Sequence, residues 1–125
     1  MTMAGVLAVA SYNIHLAIGS DGRFDPARIA AVLRELDADV VALQEVQLGP
    51  EPCDVLAFLR EDTGYEAVAG PTLYGRHGQY GNAVLTRRPV IGVRQLDLSV
   101  ARHEPRGALD VTLLGAGGPV RVVAT

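Results

Sequence analysis

Asp37-Ala38-Asp39-Val40-Val41-Ala42-Leu43-Gln44-Glu45-Val46 is the stretch whose reading decides the fold. Val40 to Leu43 form an unbroken apolar run with no polar alternation, the pattern of a strand covered on both faces inside an α/β sheet. Gln44 and Glu45 follow at its carboxyl end, where open α/β sheets place ligands and chemistry. The competing reading is a glutamate that meets solvent as the strand leaves the core, and the flanking segments decide between the two.

Upstream, Val6 to Ile14 reads as a first strand, apolar and partly β-branched, ending in Asn13 and His15 around Ile14. A loop from Gly19 to Gly22 precedes Asp25-Pro26, a helix-start signal with Asp25 as cap and Pro26 at the first helical position. Ile29, Val32, Leu33 and Leu36 then fall on one helical face, and the helix is expected to end near Asp37. Strand, helix, strand in this order predicts two parallel strands joined by a right-handed crossover. The ends of both strands would share one edge, which brings Asn13 to Glu45.

Downstream, Gly49, Pro50 and Pro52 break the chain, and Asp54 to Asp62 repeats a helical pattern with Gly64 as its C-cap. Tyr65 to Ala69 is predicted as a short strand. Gly70 to Gly81 is predicted as a loop, and its Tyr74, Arg76, His77 and Tyr80 suit ligand contact. Short strands then follow at Asn82–Thr86, Val90–Leu96, Gly107–Leu114 and, after a Gly-rich turn, Pro119–Ala124.

At 125 residues with 49% hydrophobic content the chain fits one domain with a real core. A net charge of −3 gives no global field for nucleic acid or anionic membranes, though a local basic cleft remains open. Cys53 is the only cysteine, which rules out an intrachain disulfide and a cysteine-rich zinc site, and it reads as a small buried hydrophobe on a helix. Met1 to Ala10 lacks the basic start of a secretory signal, and no segment has the length of a membrane span, so a cytoplasmic protein is expected.

Four short pieces, in order, resemble the endonuclease/exonuclease/phosphatase superfamily, in particular its bacterial metal-dependent hydrolases. They are Ser11-Tyr12-Asn13-Ile14-His15, Leu43-Gln44-Glu45-Val46, Tyr80-Gly81-Asn82-Ala83-Val84-Leu85-Thr86, and Glu104-Pro105-Arg106-Gly107-Ala108-Leu109. The resemblance implies a four-layer α/β sandwich, here as an amino-terminal portion: one mixed sheet with flanking helices, residues 1–125 forming part of a single domain. It implies Glu45 as ligand to Mg²⁺ or Mn²⁺, with Asn13 ordering the metal and phosphate. Asn82 and Arg106 are implied near the phosphate as catalytic-site residues. These types suit the chemistry, since Mg²⁺ is often held by one or two carboxylates plus waters and substrate phosphate, and Arg forks onto phosphate.

The family's Gly-Asp-X-Asn and Ser-Asp-His elements, which position and activate the attacking water, have no match: no Asp has Asn two residues on, and none of His15, His77 and His103 follows an Asp. The expectation is therefore a phosphoesterase fold with little turnover of its own. The alternative is a non-catalytic module that pairs with a second half, or with itself, through an uncovered sheet face. His15 reads either as a cleft residue or as a solvated loop residue, whereas His77 and His103 read as surface residues, and Arg87-Arg88 as a solvated strand end. Tyr12 and Tyr74 read as packing. The substrate is a phosphoester, whether small molecule, lipid head group or nucleic acid. The 5% aromatic content favours a small or lipid ester over a long single strand.

Overall fold

A computed structural model describes residues 5–48, 54–75, 78–103 and 106–125. Cys53, Arg76, His77, Glu104 and Pro105 lie outside them, as does the side chain of Tyr74. In chain order the elements are β1 (Val9–Asn13), a short 3-10 turn (His15–Ala17), α1 (Pro26–Leu36), β2 (Val40–Gln47), α2 (Val55–Thr63), β3 (Glu66–Gly75), β4 (Gly78–Thr86), β5 (Val90–Asp97), β6 (Gly107–Gly115) and β7 (Gly118–Ala124). They build two sheets, a mixed one in the order β1-β2-β4-β3 and an antiparallel one in the order β5-β6-β7.

The opening stretch behaves as its pattern predicts. β1 runs parallel to β2, with Val9 opposite Val40 and Asn13 opposite Gln44. Val40, Val41, Leu43 and Val46 are fully buried. Val41, Leu43 and Val46 face a core shared with Ile29, Ala30 and Leu33 of α1 and Val55, Leu56 and Leu59 of α2. Val40 and Ala42 face a second core with Leu109, Val111 and Leu113 of β6. Helices therefore cover one face of the mixed sheet and the second sheet covers the other. The aspartates before the run anchor it. Asp37 ends α1 in the left-handed conformation and pairs with Arg87 at 2.7 Å. Asp39 accepts the Ala8 N–H at 2.8 Å, which ties the approach to β1 onto the start of β2.

Three expectations change. The last strands do not extend the mixed sheet but form the separate β5-β6-β7 sheet. An alternating strand satisfies either sheet equally, and the break at Arg87-Arg88-Pro89 lets the chain cross between them. The predicted Gly70–Gly81 loop is instead the end of β3 and the start of β4, with Gly75 opposite Gly78. Gly70 faces the second sheet there, where an added Cβ would come within 3.1 Å of the Leu109 side chain. Asp25 sits at the N-cap of α1, but its carboxylate turns to Arg28 Nε at 3.5 Å and accepts no capping N–H among the described residues. Asp54 does cap α2, accepting from the Ala57 N–H at 3.0 Å.

On the outer face of the second sheet, Asp110 is buried beneath two arginines. Arg121 donates through Nη2 at 2.5 Å and Nε at 3.3 Å, and Arg94 approaches at 3.4 Å. The hydrogen bonds from Arg121 hold the Asp110 carboxyl below its ordinary range. A depressed folded-state value stabilises the fold above the unfolded pKa of about 3.9 and loses that contribution as pH falls through the lower folded value. Asp110→Asn should therefore lower the melting temperature at pH 7, and the gap to wild type should close as both are melted toward pH 2. A gap independent of pH would contradict a charge-based role.

Candidate functional site

The site begins with a defect in β2. Leu43 pairs with Ala83 and Val46 with Gly81, so Gln44 and Glu45 together oppose the single residue Asn82. This is a β-bulge, and Glu45 takes a positive φ of 54° within it. Unbroken alternation would put residue 45 on the face of Val41 and Leu43, in the helix-side core. Burying an unpaired carboxylate costs several kcal/mol, against roughly 1–2 kcal/mol for a left-handed non-glycine residue. The bulge restores Val46 to the core and turns Glu45 out to a half-exposed position.

β1 supplies the neighbouring wall. Asn13 stands opposite Gln44, and its Oδ1 accepts the His15 N–H at 2.9 Å, which fixes the carboxamide at the start of a turn. His15, Leu16 and Ala17 all have positive φ there, a tight left-handed reversal pinned by buried Ile14 and Ala17. His15 Nδ1 lies 3.8 Å from Glu45 Oε1, with both side chains largely open to solvent. Gln44 reaches across to Ser11 Oγ at 3.3 Å.

The second sheet closes the site from the other side. Asn82 Nδ2 donates to the Gly107 carbonyl at 3.1 Å, a direct tie between β4 and the start of β6. Arg106, next in line, is held through its backbone: its N–H goes to Ser99 Oγ at 3.1 Å, and its carbonyl accepts the Leu98 N–H at 2.9 Å.

These residues enclose a cavity of about 830 Å³ at the mouth between the two sheets. Asn13, Glu45, Asn82 and Arg106, the four residues singled out from the sequence, all line it. So do Gln44, Gly107 and Thr125, with Leu16, Tyr80 and Leu98 as the bulkier walls. Tyr80 carried a signal in the polar and aromatic composition of its segment. Leu16 and Leu98 carried none, since an apolar residue next to a turn looks like any other. His103 is exposed on the loop after β5, and Tyr12 packs partly buried against the helix-side core.

The donor set available for a cation is one carboxylate, Glu45, beside the carboxamides of Asn13 and Asn82. No cluster of three or more His, Cys, Asp or Glu gathers among the described residues. Hard oxygen donors with few carboxylates fit Mg²⁺ or Mn²⁺, which keep several waters and draw further ligands from phosphate.

The model of the Endonuclease/Exonuclease/phosphatase family matches residues 10–123, nearly the whole chain. The chain belongs to this family. The matched range spans the bulged strand β2 as well as Asn13 and Asn82. Uncharacterized protein YbhP of Escherichia coli K12 is 32% identical over 112 residues, covering 81% of this chain and 44% of that protein. The crystal structure of an endonuclease/exonuclease/phosphatase from Beutenbergia cavernae superposes with a TM-score of 0.79 at 33% identity, over 94% of this chain and 37% of that one. ANGEL2, a 2',3'-cyclic phosphatase, shares the fold with a TM-score of 0.67 at 21% identity, over 94% of this chain and 39% of its own. The chain thus spans less than half the length of each of these relatives.

The Asn82 tie joins β4 to the residue that follows Arg106. Asn82→Ala should cost about 1 kcal/mol of stability, and amide hydrogen exchange should speed up at Leu98 and Arg106 while the β1–β2 amides stay protected. Uniform loss of protection, or none at Leu98 and Arg106, would contradict this local role.

Proposed function

We propose that the cavity is the metal and phosphate site of a phosphoester hydrolase, of which this chain forms the amino-terminal part. The observation that carries the reading is the convergence of Glu45, Asn13, Asn82 and Arg106 on one cavity from four separate strands or strand ends. Glu45 is the metal ligand, with the Asn13 carboxamide oxygen as its neighbour. A divalent ion held by these residues would supply Lewis acidity toward a bound phosphoryl group. Arg106 gathers the phosphate through its guanidinium fork, from a backbone that Ser99 and Leu98 hold in place. Asn82 stands close enough to the bulge to orient a phosphoryl oxygen between Glu45 and Arg106. The substrate is a phosphodiester or phosphomonoester attacked by water, and the protein is cytoplasmic. No helix among the described residues is long and apolar enough to cross a membrane.

The groups that activate the water belong, in this proposal, to a second half. One feature favours such a partner over a self-sufficient module: Val9, on the face of β1 that looks toward the second sheet, remains 56% exposed. β1 and β7 are both edge strands of their sheets, and β7 contacts β4. A complement that continues both sheets beyond these edges would cover Val9 and bring further side chains to the cavity. A second copy of the chain is the competing occupant, and light scattering of the purified chain separates them, since a stable dimer would favour self-association.

Calorimetric titration with MgCl₂ or MnCl₂ should show weak binding by the 125-residue chain, lowered at least about ten-fold by Glu45→Ala. Hydrolysis of a generic phosphodiester by the chain alone should be at or near background. Substantial Mg²⁺-dependent turnover that Glu45→Ala abolishes would uphold the site and refute the need for a second half. Metal binding unaffected by Glu45→Ala would refute the site itself.

A further inference from the structure

The oxygens of Glu45, Asn13 and Asn82 are not the whole donor set at the end of β2. Six non-glycine residues take a positive φ among the described residues, and four of them, His15, Leu16, Ala17 and Glu45, meet at this point. Left-handed backbone is uncommon outside glycine, and it gathers where a site needs a fixed geometry. The turn is held at each step. The Ala17 N–H donates to the Ile14 carbonyl at 2.9 Å, the Ile18 N–H to the His15 carbonyl at 3.0 Å and the Asp25 N–H to the Ala17 carbonyl at 2.9 Å, while Asn13 Oδ1 takes the His15 N–H at 2.9 Å. Buried Ile14 and Ala17 account for the reversal of the chain but not for the direction of the histidine. Its side chain is 77% exposed and could face solvent, yet Nδ1 lies 3.8 Å from Glu45 Oε1. That separation is too long for a direct hydrogen bond and shorter than two bonds of about 2.0–2.1 Å to a small divalent cation. An exposed His–Glu pair contributes little by itself.

We propose that His15 is a nitrogen ligand of the divalent cation that Glu45 holds, and that it tilts the site toward Mn²⁺ over Mg²⁺. The inference rests on the metal site proposed above and deepens it. A neutral imidazole binds first-row transition ions through a ring nitrogen, whereas Mg²⁺ keeps to oxygen ligands and water. Glu45 and the carboxamides serve either ion, so the discrimination falls to His15. Asn13 Oδ1 and the His15 N–H are joined in one turn, so the carboxamide of β1 and the imidazole reach the cation as a unit. The left-handed turn and the left-handed Glu45 then have one purpose, which is to hold a nitrogen and a carboxylate oxygen on either side of the same ion.

The test is calorimetric titration of the 125-residue chain with MnCl₂ and with MgCl₂, at about pH 8 so that protons do not compete for an imidazole nitrogen. His15→Asn puts in a residue that tolerates left-handed backbone, so the turn survives. It should weaken Mn²⁺ binding about ten-fold and leave Mg²⁺ affinity within about two-fold. In NMR spectra with substoichiometric Mn²⁺, the ring protons of His15 should broaden together with the Gln44 and Glu45 amides and before the ring protons of His103. An equal effect on both ions, no effect, or tighter binding once the imidazole is gone would overturn the inference, as would a His15 ring that stays sharp. Where Glu45→Ala still removes binding in those cases, the metal site stands without His15. Binding of neither ion by the unaltered chain would overturn both.

Discussion

The burial of β2 on both faces is the constraint from which the rest follows. A strand with Val41, Leu43 and Val46 in one core and Val40 and Ala42 in the other has no solvent face on which to carry a charge. Glu45 is tolerated only because the strand breaks register there, and the break puts two residues opposite Asn82. The same bulge that spares the core a carboxylate delivers it to the mouth between the sheets. The backbone cost at Glu45, roughly 1–2 kcal/mol, is smaller than the several kcal/mol of burying the charge unpaired. Stability and the proposed metal site thus ask for the same local distortion.

The other site residues depend on that strand in different ways. Asn13 is placed by parallel pairing with β2, and its carboxamide is fixed by the left-handed turn that begins at His15. Asn82 is placed by antiparallel pairing from the other side and spends its Nδ2 on holding β6. Arg106 arrives from the second sheet, its backbone held by Ser99 and Leu98, one residue before the Gly107 carbonyl that Asn82 engages. The cavity is therefore a junction, and neither sheet alone contains it. A fold of this kind ties site geometry to the packing of one sheet on the other, and at Gly70 that packing leaves an added Cβ only 3.1 Å from the Leu109 side chain.

Much of this was legible in the residues. The apolar run from Val40, the Asp-Pro helix start and the two helical stripes gave the strand–helix–strand unit and hence the meeting of Asn13 with Glu45. The left-handed Asp37 and Gly64 end both helices close to where their patterns stop. The bulge was not legible, because Leu-Gln-Glu-Val reads the same whether Val46 returns to the core or not. Nor was the division into two sheets, since the alternation in β5, β6 and β7 states which side is apolar and not which sheet receives it. The segment from Gly70 to Gly81 looked like a loop because its Gly, Pro and polar residues obscure the pairing that β4 imposes. The walls at Leu16 and Leu98 depend on tertiary placement alone.

The central claim, that the bulge of β2 makes Glu45 a divalent-metal ligand at the junction of the two sheets, is tested most directly by paramagnetic relaxation. Titrating the ¹⁵N-labelled chain with substoichiometric Mn²⁺ should broaden the amides of Gln44, Glu45 and Val46 first, then those of Asn13 and Asn82. Glu45→Ala should remove that pattern while the core amides keep their shifts. Broadening centred elsewhere, for instance around Asp110, or a pattern unchanged by Glu45→Ala, would contradict the account.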